Sequence, residues 1–179
     1  MTKRFVRSRE VPSRDDYYMG QSFWIASRSK DPRTQCGAII VNDNNQPLGT
    51  GYNGPPKRIN DADINWDRPD KYPYIVHAEV NAIKHSFGDL EGSTLYVTAK
   101  SCSRCMLSIA NEGISKVVYF PYKSLDKDSL LANNDDWGLT QEIARLSNIS
   151  LIQFTGNLNW MRDQIEKLNL LGIFKSFKN

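Results

Sequence analysis

Val76-His77-Ala78-Glu79-Val80-Asn81-Ala82-Ile83, taken with Ser101-Cys102-Ser103-Arg104-Cys105, decides how the rest of the chain is read. The two stretches supply one imidazole and two thiols, a donor set suited to zinc, and a carboxylate two residues after the histidine. Cys102 and Cys105 are three apart, so on a helix they share a face, and at a helix entrance the unpaired amides favour thiolate. Ser101 is then the expected N-cap of that helix. Inside a helix His77 and Glu79 would point roughly 200° apart. Cooperation therefore requires His77 to stand at the helix entrance with Glu79 in the first turn. Two helix starts converging on one ion is the resulting structural expectation, and a strand at residues 77–80 or 102–106 would defeat it.

The choice of ligands is narrow, because the chain has only two histidines, His77 and His85, and three cysteines, Cys36, Cys102 and Cys105. Three protein ligands with an open fourth position mark a catalytic zinc, whereas a structural zinc closes its tetrahedron with a fourth. Here that fourth would have to be Cys36 or His85. Cys-x-x-Cys alone would read equally well as a structural half-site or a redox pair. His85, two helical turns past His77, is expected in packing or on the surface, and Cys36 as a packing thiol.

At 179 residues with 40% apolar and 24% charged residues, the chain is expected to be one globular domain. No apolar run approaches the ~20 residues of a membrane span, and the first residues lack the apolar core of a secretory signal. An intracellular, cytoplasmic protein is expected, in keeping with an odd cysteine count in a reducing compartment. The net charge of +3 is concentrated at one end. Lys3, Arg4, Arg7, Arg9 and Arg14 against Glu10 leave 18 positive and 19 negative side chains on the remainder. A near-neutral body has no basic track for a nucleic-acid backbone, so the balance favours a small anionic ligand over nucleic acid.

The pattern predicts a basic arm over 1–14, a domain over 15–155 and a helical extension over 156–179 that packs on the domain or on a partner subunit. Within it, a helix is expected over Asp15–Ser29, capped by Ser13 or Asp15, then a hairpin of Gly37–Asn42 and Pro47–Tyr52. A long proline-bearing loop follows from Asn53 to Tyr74, the kind of segment that usually serves a function. Trp66 is expected to anchor it. Helices from His77, from Cys102, over Gly138–Ser147 and over Leu158–Leu171 alternate with strands at Ser93–Thr98, Lys116–Phe120 and Ile149–Phe154. Trp137 and Trp160 are expected in the core or a subunit interface. The order predicts an α/β protein, a three-layer α/β/α fold with a mixed five-stranded sheet.

His77-Ala78-Glu79 with Cys102-Ser-Arg-Cys105 resembles the H-x-E…P-C-x-x-C signature of the zinc-dependent cytidine-deaminase superfamily. Ser29-Lys30-Asp31-Pro32, Gln35-Cys36-Gly37-Ala38, Gly51-Tyr52-Asn53-Gly54 and Lys71-Tyr72-Pro73-Tyr74 narrow the resemblance to its deoxycytidylate (dCMP) deaminase branch. Ser101 stands where that pattern has proline, Cys36 where it usually has valine, and Lys57-Arg58 where a glycine often follows. The resemblance implies hydrolytic deamination of dCMP to dUMP and ammonia, feeding thymidylate synthesis. In that reading Zn2+ is held by His77, Cys102 and Cys105, and Glu79 moves the protons. It also implies a homo-oligomer, expected as a hexamer, activated by dCTP with Mg2+ and inhibited by dTTP.

Asn53 and Tyr122 are the implied sugar and base contacts, each weighed against a plain role as turn asparagine or strand-end aromatic. Lys30 and Arg33 are phosphate candidates by charge and position, or solvated surface side chains. Asn81 either supports the site or is exposed. Two other readings compete: a tRNA or other nucleic-acid deaminase with the same chemistry, and a non-catalytic subunit with a structural zinc.

Overall fold

The computed structural model describes residues 10–121 and 134–170. Helix α1 (Arg14–Ala26) begins where Ser13 Oγ accepts the Asp16 amide at 3.1 Å, with Asp15 and Asp16 complementing the helix dipole. It stops short of Ser29 because the next residues bond elsewhere. Ser29 Oγ donates to the Asn53 carbonyl, and Asp31 Oδ1 accepts the Arg33 and Thr34 amides. The hairpin follows as expected, with β1 (Gly37–Val41) and β2 (Pro47–Tyr52) antiparallel. Then come α2 (Ala78–Lys84), β3 (Thr94–Val97), α3 (Ser103–Asn111), β4 (Lys116–Tyr119), α4 (Asn134–Leu146), β5 (Ser150–Gln153) and α5 (Asn159–Leu170).

The five strands form one sheet in the order β2-β1-β3-β4-β5, with β1 antiparallel to β2 and β3, and β3, β4 and β5 mutually parallel. That is the expected mixed sheet. Every residue of β1 is buried, so the strand reads as a continuous apolar run between two layers. Ile39 and Val41 pack with Tyr18, Met19, Tyr96, Val118 and Phe154 on the α1 side. Ala38 and Ile40 join Leu95, Met106, Ile109 and Val117 on the other, with Ala82 of α2 and Ala144 of α4. The period-2 alternation of one strand thus divides the core into two apolar clusters, and three layers result. Helix α5 is laid on α1, where Trp160 Nε1 donates to the Asp16 carbonyl at 3.3 Å. No helix among the described residues is long and apolar enough to cross a membrane.

Two devices bring the ends of α2 and α3 together. A Cβ on Gly51 would collide with the Ala82 amide nitrogen and the Ala78 carbonyl, so only glycine lets α2 lie this close on β2. Asn81 Nδ2 closes the same contact by donating to the Tyr52 carbonyl at 2.8 Å. On the other helix, Asp136 of α4 accepts the Ser103 amide at 3.0 Å and the Ser103 hydroxyl at 2.6 Å. The expectation that Ser101 caps α3 is corrected: Cys102 is the N-cap residue, and the capping oxygen comes from α4. Thr140 Oγ1 donates to the Ser101 carbonyl at 3.2 Å and holds the same turn.

The long loop carries two short 3-10 turns, Asp61–Asp63 and Tyr72–Tyr74. Trp66 anchors it from within, its indole N–H donating to the Asp61 carbonyl at 3.0 Å. Its far end is fixed by a bridge between Gly54 and Val76 and by a buried ion pair. Lys71 Nζ, 2% exposed, reaches Asp31 Oδ1 and Oδ2 at 2.6 and 2.5 Å.

Breaking a buried pair leaves one uncompensated charge in the interior. Asp31→Asn is expected to lower stability by about 3–5 kcal/mol in urea denaturation, and the double variant Asp31→Leu/Lys71→Met to recover most of the loss. Asp136→Ala, which leaves the Ser103 amide without its cap, should cost about 1–2 kcal/mol by the same measurement.

Candidate metal centre and active site

His77 is the N-cap residue of α2, extended at φ −72° and ψ 157°, and Cys102 is that of α3 at φ −78° and ψ 166°. An extended residue at a helix entrance turns its side chain across the end of the helix, so both entrances aim at one point. No strand lies at 77–80 or 102–106, and the two helix starts do converge. His77 Nδ1 is 3.5 Å from Cys102 Sγ and 3.3 Å from Cys105 Sγ.

Those separations suit zinc. With Zn–S near 2.3 Å and Zn–N near 2.05 Å, tetrahedral ligands stand about 3.6 Å apart. The ligand atoms of all three residues lie within 4.8 Å of one another, and no fourth histidine, cysteine or acid joins them among the described residues. His85 is exposed at the C-terminus of α2. Cys36 is half-buried in the cavity wall, where desolvation pushes its thiol up to about 12.

The cluster's own electrostatics prepare it for a cation. The hydrogen bond from Cys105 and then those involving His77 bring the Cys102 thiol down to about 4. That shared hydrogen bond, then burial, pushes Cys105 up. His77 is raised to about 9, chiefly by the Cys102 sulfur beside it. One thiolate is thus present already, and a divalent ion binding here would displace the protons on His77 and Cys105.

Glu79 sits in the first turn of α2 and is 4% exposed, outside the ligand set. Burial raises its pKa and the neighbouring His77 charge lowers it, with Ser101 nearby also favouring the ionised form. The net effect is a carboxyl held above its ordinary range, with burial the largest cause.

The centre opens into a cavity of about 790 Å³, a size suited to a nucleotide. Asn53 lines it, 6% exposed, with its side chain committed to the preceding loop. Its Oδ1 accepts the Cys36 amide at 2.7 Å and its Nδ2 donates to the Thr34 carbonyl at 2.9 Å. Lys30 and Arg33 are not in the wall. Lys30 pairs with Asp61, and Arg33 lies 3.6 Å from Asp67, both on the exposed side of the long loop. Tyr122 lies outside the described residues.

The cationic residues that do line the cavity are Arg68, Lys71, Lys100 and Arg104. Trp137, expected in the core or an interface, packs edge-on against Tyr119 and forms part of this wall, with Lys100 Nζ 4.5 Å from its ring centroid. Asp136 and Trp137 were hidden from sequence reading because Gly138 looked like the start of α4. Helix α4 begins four residues earlier, tolerating that glycine.

The family model for the cytidine and deoxycytidylate deaminase zinc-binding region matches residues 12–121. The human deoxycytidylate deaminase is 40% identical over 124 residues, covering 65% of this chain and 70% of its own length. The probable deoxycytidylate deaminase of Drosophila melanogaster is 41% identical over 131 residues, 66% of this chain and 64% of that one. In fold, the chain is similar to the dCMP deaminase from the cyanophage S-TIM5 solved in complex with dCMP and dUMP. That pair has a TM-score of 0.60 at 24% identity, covering 82% of this chain and 100% of that one. The matched span contains all three clustered donors and Glu79, and this chain belongs to the cytidine and deoxycytidylate deaminase family.

Proposed function

We propose that this protein is a zinc-dependent hydrolase that converts dCMP to dUMP and ammonia. The observation that carries the reading is the His77, Cys102 and Cys105 cluster, three donors and no fourth among the described residues, opening on a cavity beside a buried Glu79. Zinc held there would supply Lewis-acid activation of water at neutral pH. The chain supplies the proton traffic. As water adds at C4 of the pyrimidine, Glu79 takes its proton and passes it to N3. As the C4–N4 bond breaks, Glu79 takes the remaining proton from the C4 hydroxyl, which becomes the uracil carbonyl, and delivers it to the departing amine, which leaves as ammonia. The cavity wall excludes bulk water from the exchange.

The same reading makes dUMP available for thymidylate synthesis and places the enzyme in the cytoplasm. It takes residues 15–155 as the catalytic domain, with 1–14 as a solvated basic arm and 156–179 as an extension. Asn53 would face the sugar with whatever hydrogen-bonding capacity the loop leaves it, and Tyr122 the base or sugar edge. Lys30 and Arg33, paired on the outer side of the loop, would serve the phosphate only by leaving Asp61 and Asp67. A hexamer activated by dCTP with Mg2+ and inhibited by dTTP follows from the family resemblance.

Glu79→Gln should retain about one zinc per chain by metal analysis and lose roughly 10²–10⁴-fold in kcat. A variant that deaminates at the wild-type rate removes Glu79 from the mechanism. Loss of cytosine absorbance with dCMP, CMP and deoxycytidine, each with and without dCTP plus Mg2+ or dTTP, tests substrate and regulation together. The highest kcat/KM is expected with dCMP, and a preference for a polynucleotide cytosine would overturn the reading.

A further inference from the structure

Buried polar atoms without a partner are rare in folded proteins and call for an explanation where they occur. Ser101 Oγ is one of them. The residue is 2% exposed and lines the cavity, and its hydroxyl oxygen meets no partner in hydrogen-bonding geometry. Its backbone is held in place. Thr140, fully buried on α4, donates to the Ser101 carbonyl at 3.2 Å, and the next residue is Cys102, the N-cap of α3.

The acids of the wall identify what the hydroxyl serves. A buried hydroxyl donates most strongly to a carboxylate, and Asp31, Glu79 and Asp136 are the acids that line this cavity among the described residues. Asp31 accepts both contacts from Lys71 and the amides of Arg33 and Thr34. Asp136 accepts the amide and the hydroxyl of Ser103. Glu79 remains. The donor cluster brings it to Ser101: Glu79 follows His77 by two residues, Ser101 directly precedes Cys102, and His77 Nδ1 is 3.5 Å from Cys102 Sγ. The two side chains are near enough for Ser101 to favour the ionised form of Glu79, against the burial that raises it. The proline that the resembled signature carries at this position has no side-chain donor, so such a contact is particular to this chain.

Resting on the deaminase reading, we propose that Ser101 is a positioning residue for the reaction, whose hydroxyl donates to the Glu79 carboxylate and fixes the rotamer in which Glu79 works beside the donor cluster. One carboxylate oxygen is then held by Ser101, and the other is left for the proton exchange.

The test is Ser101→Ala in the zinc-loaded full chain, alone and combined with Glu79→Gln. A hydrogen bond to a charged group implies a fall of about 10- to 100-fold in kcat for dCMP, with KM and zinc content unchanged. In the Glu79→Gln background the same substitution should cost nothing further, because a residue that acts through Glu79 has no carboxylate left to position. Infrared difference spectroscopy reads the contact without turnover: the Glu79 carboxyl band, isolated as wild type minus Glu79→Gln, should shift in the Ser101→Ala background. An unaltered kcat, a loss carried by KM, an equal loss with and without the Glu79 carboxyl, or an unmoved band overturns the assignment. If instead the wild type turns over no cytosine nucleotide but the band shifts on Ser101→Ala, the reaction falls and the contact stands.

Discussion

The fold is constrained by one short triangle, the imidazole nitrogen of His77 and two sulfurs gathered within 4.8 Å from points 25 and 28 residues apart in the chain. Helix ends deliver such groups more reproducibly than loops, because the backbone at an N-cap is fixed by the helix behind it. The placement still depends on what holds each helix. α2 is seated by glycine-permitted contact with β2, and α3 by an aspartate reaching across from α4. The mixed sheet is the frame for both: α2 lies on β2 and β1, and α3 is held through α4, which packs on β5.

A second constraint is the long loop between β2 and α2. Its later part lines the cavity, and with only two short 3-10 turns its position is set by a few strong contacts. The Lys71–Asp31 pair is the strongest, with both partners nearly excluded from solvent. In net stability such a pair is worth little more than a hydrophobic substitute. What it adds is register. Asp31 gathers Lys71 and two amides of its own loop, so the two sides of the cavity cannot slide past one another.

How much of this was legible followed the range of the interactions. The hairpin, the alternation of strands and helices, and the convergence of the His77 and Cys102 helix entrances rest on spacings of a few residues, and all appear as expected. The N-terminal cap of α3 misled, because the hydroxyl of Ser101 is the local candidate while the acceptor in use lies 33 residues from Ser103. Lys30 and Arg33 stand off the cavity wall for a related reason. Charge and position near the first strand made them candidates, but their partners Asp61 and Asp67 lie in a loop whose path no periodicity reveals. Two of the cations that line the cavity, Arg68 and Lys71, come from that same unreadable loop.

The distribution of acids in the cavity ties the chemistry to the substrate. Three carboxylates line it, Asp31, Glu79 and Asp136. Asp31 is neutralised by Lys71, and Asp136 is spent on the entrance to α3. Glu79 forms no ion pair with a lysine or arginine among the described residues, and it stands beside the donor cluster. Asp31 and Asp136 are thus held by structure, and Glu79 is the cavity carboxylate that neither a lysine nor a helix entrance occupies among the described residues. The carboxylate without such a structural duty is the one beside the donor cluster, where the proposed reaction would exchange its protons.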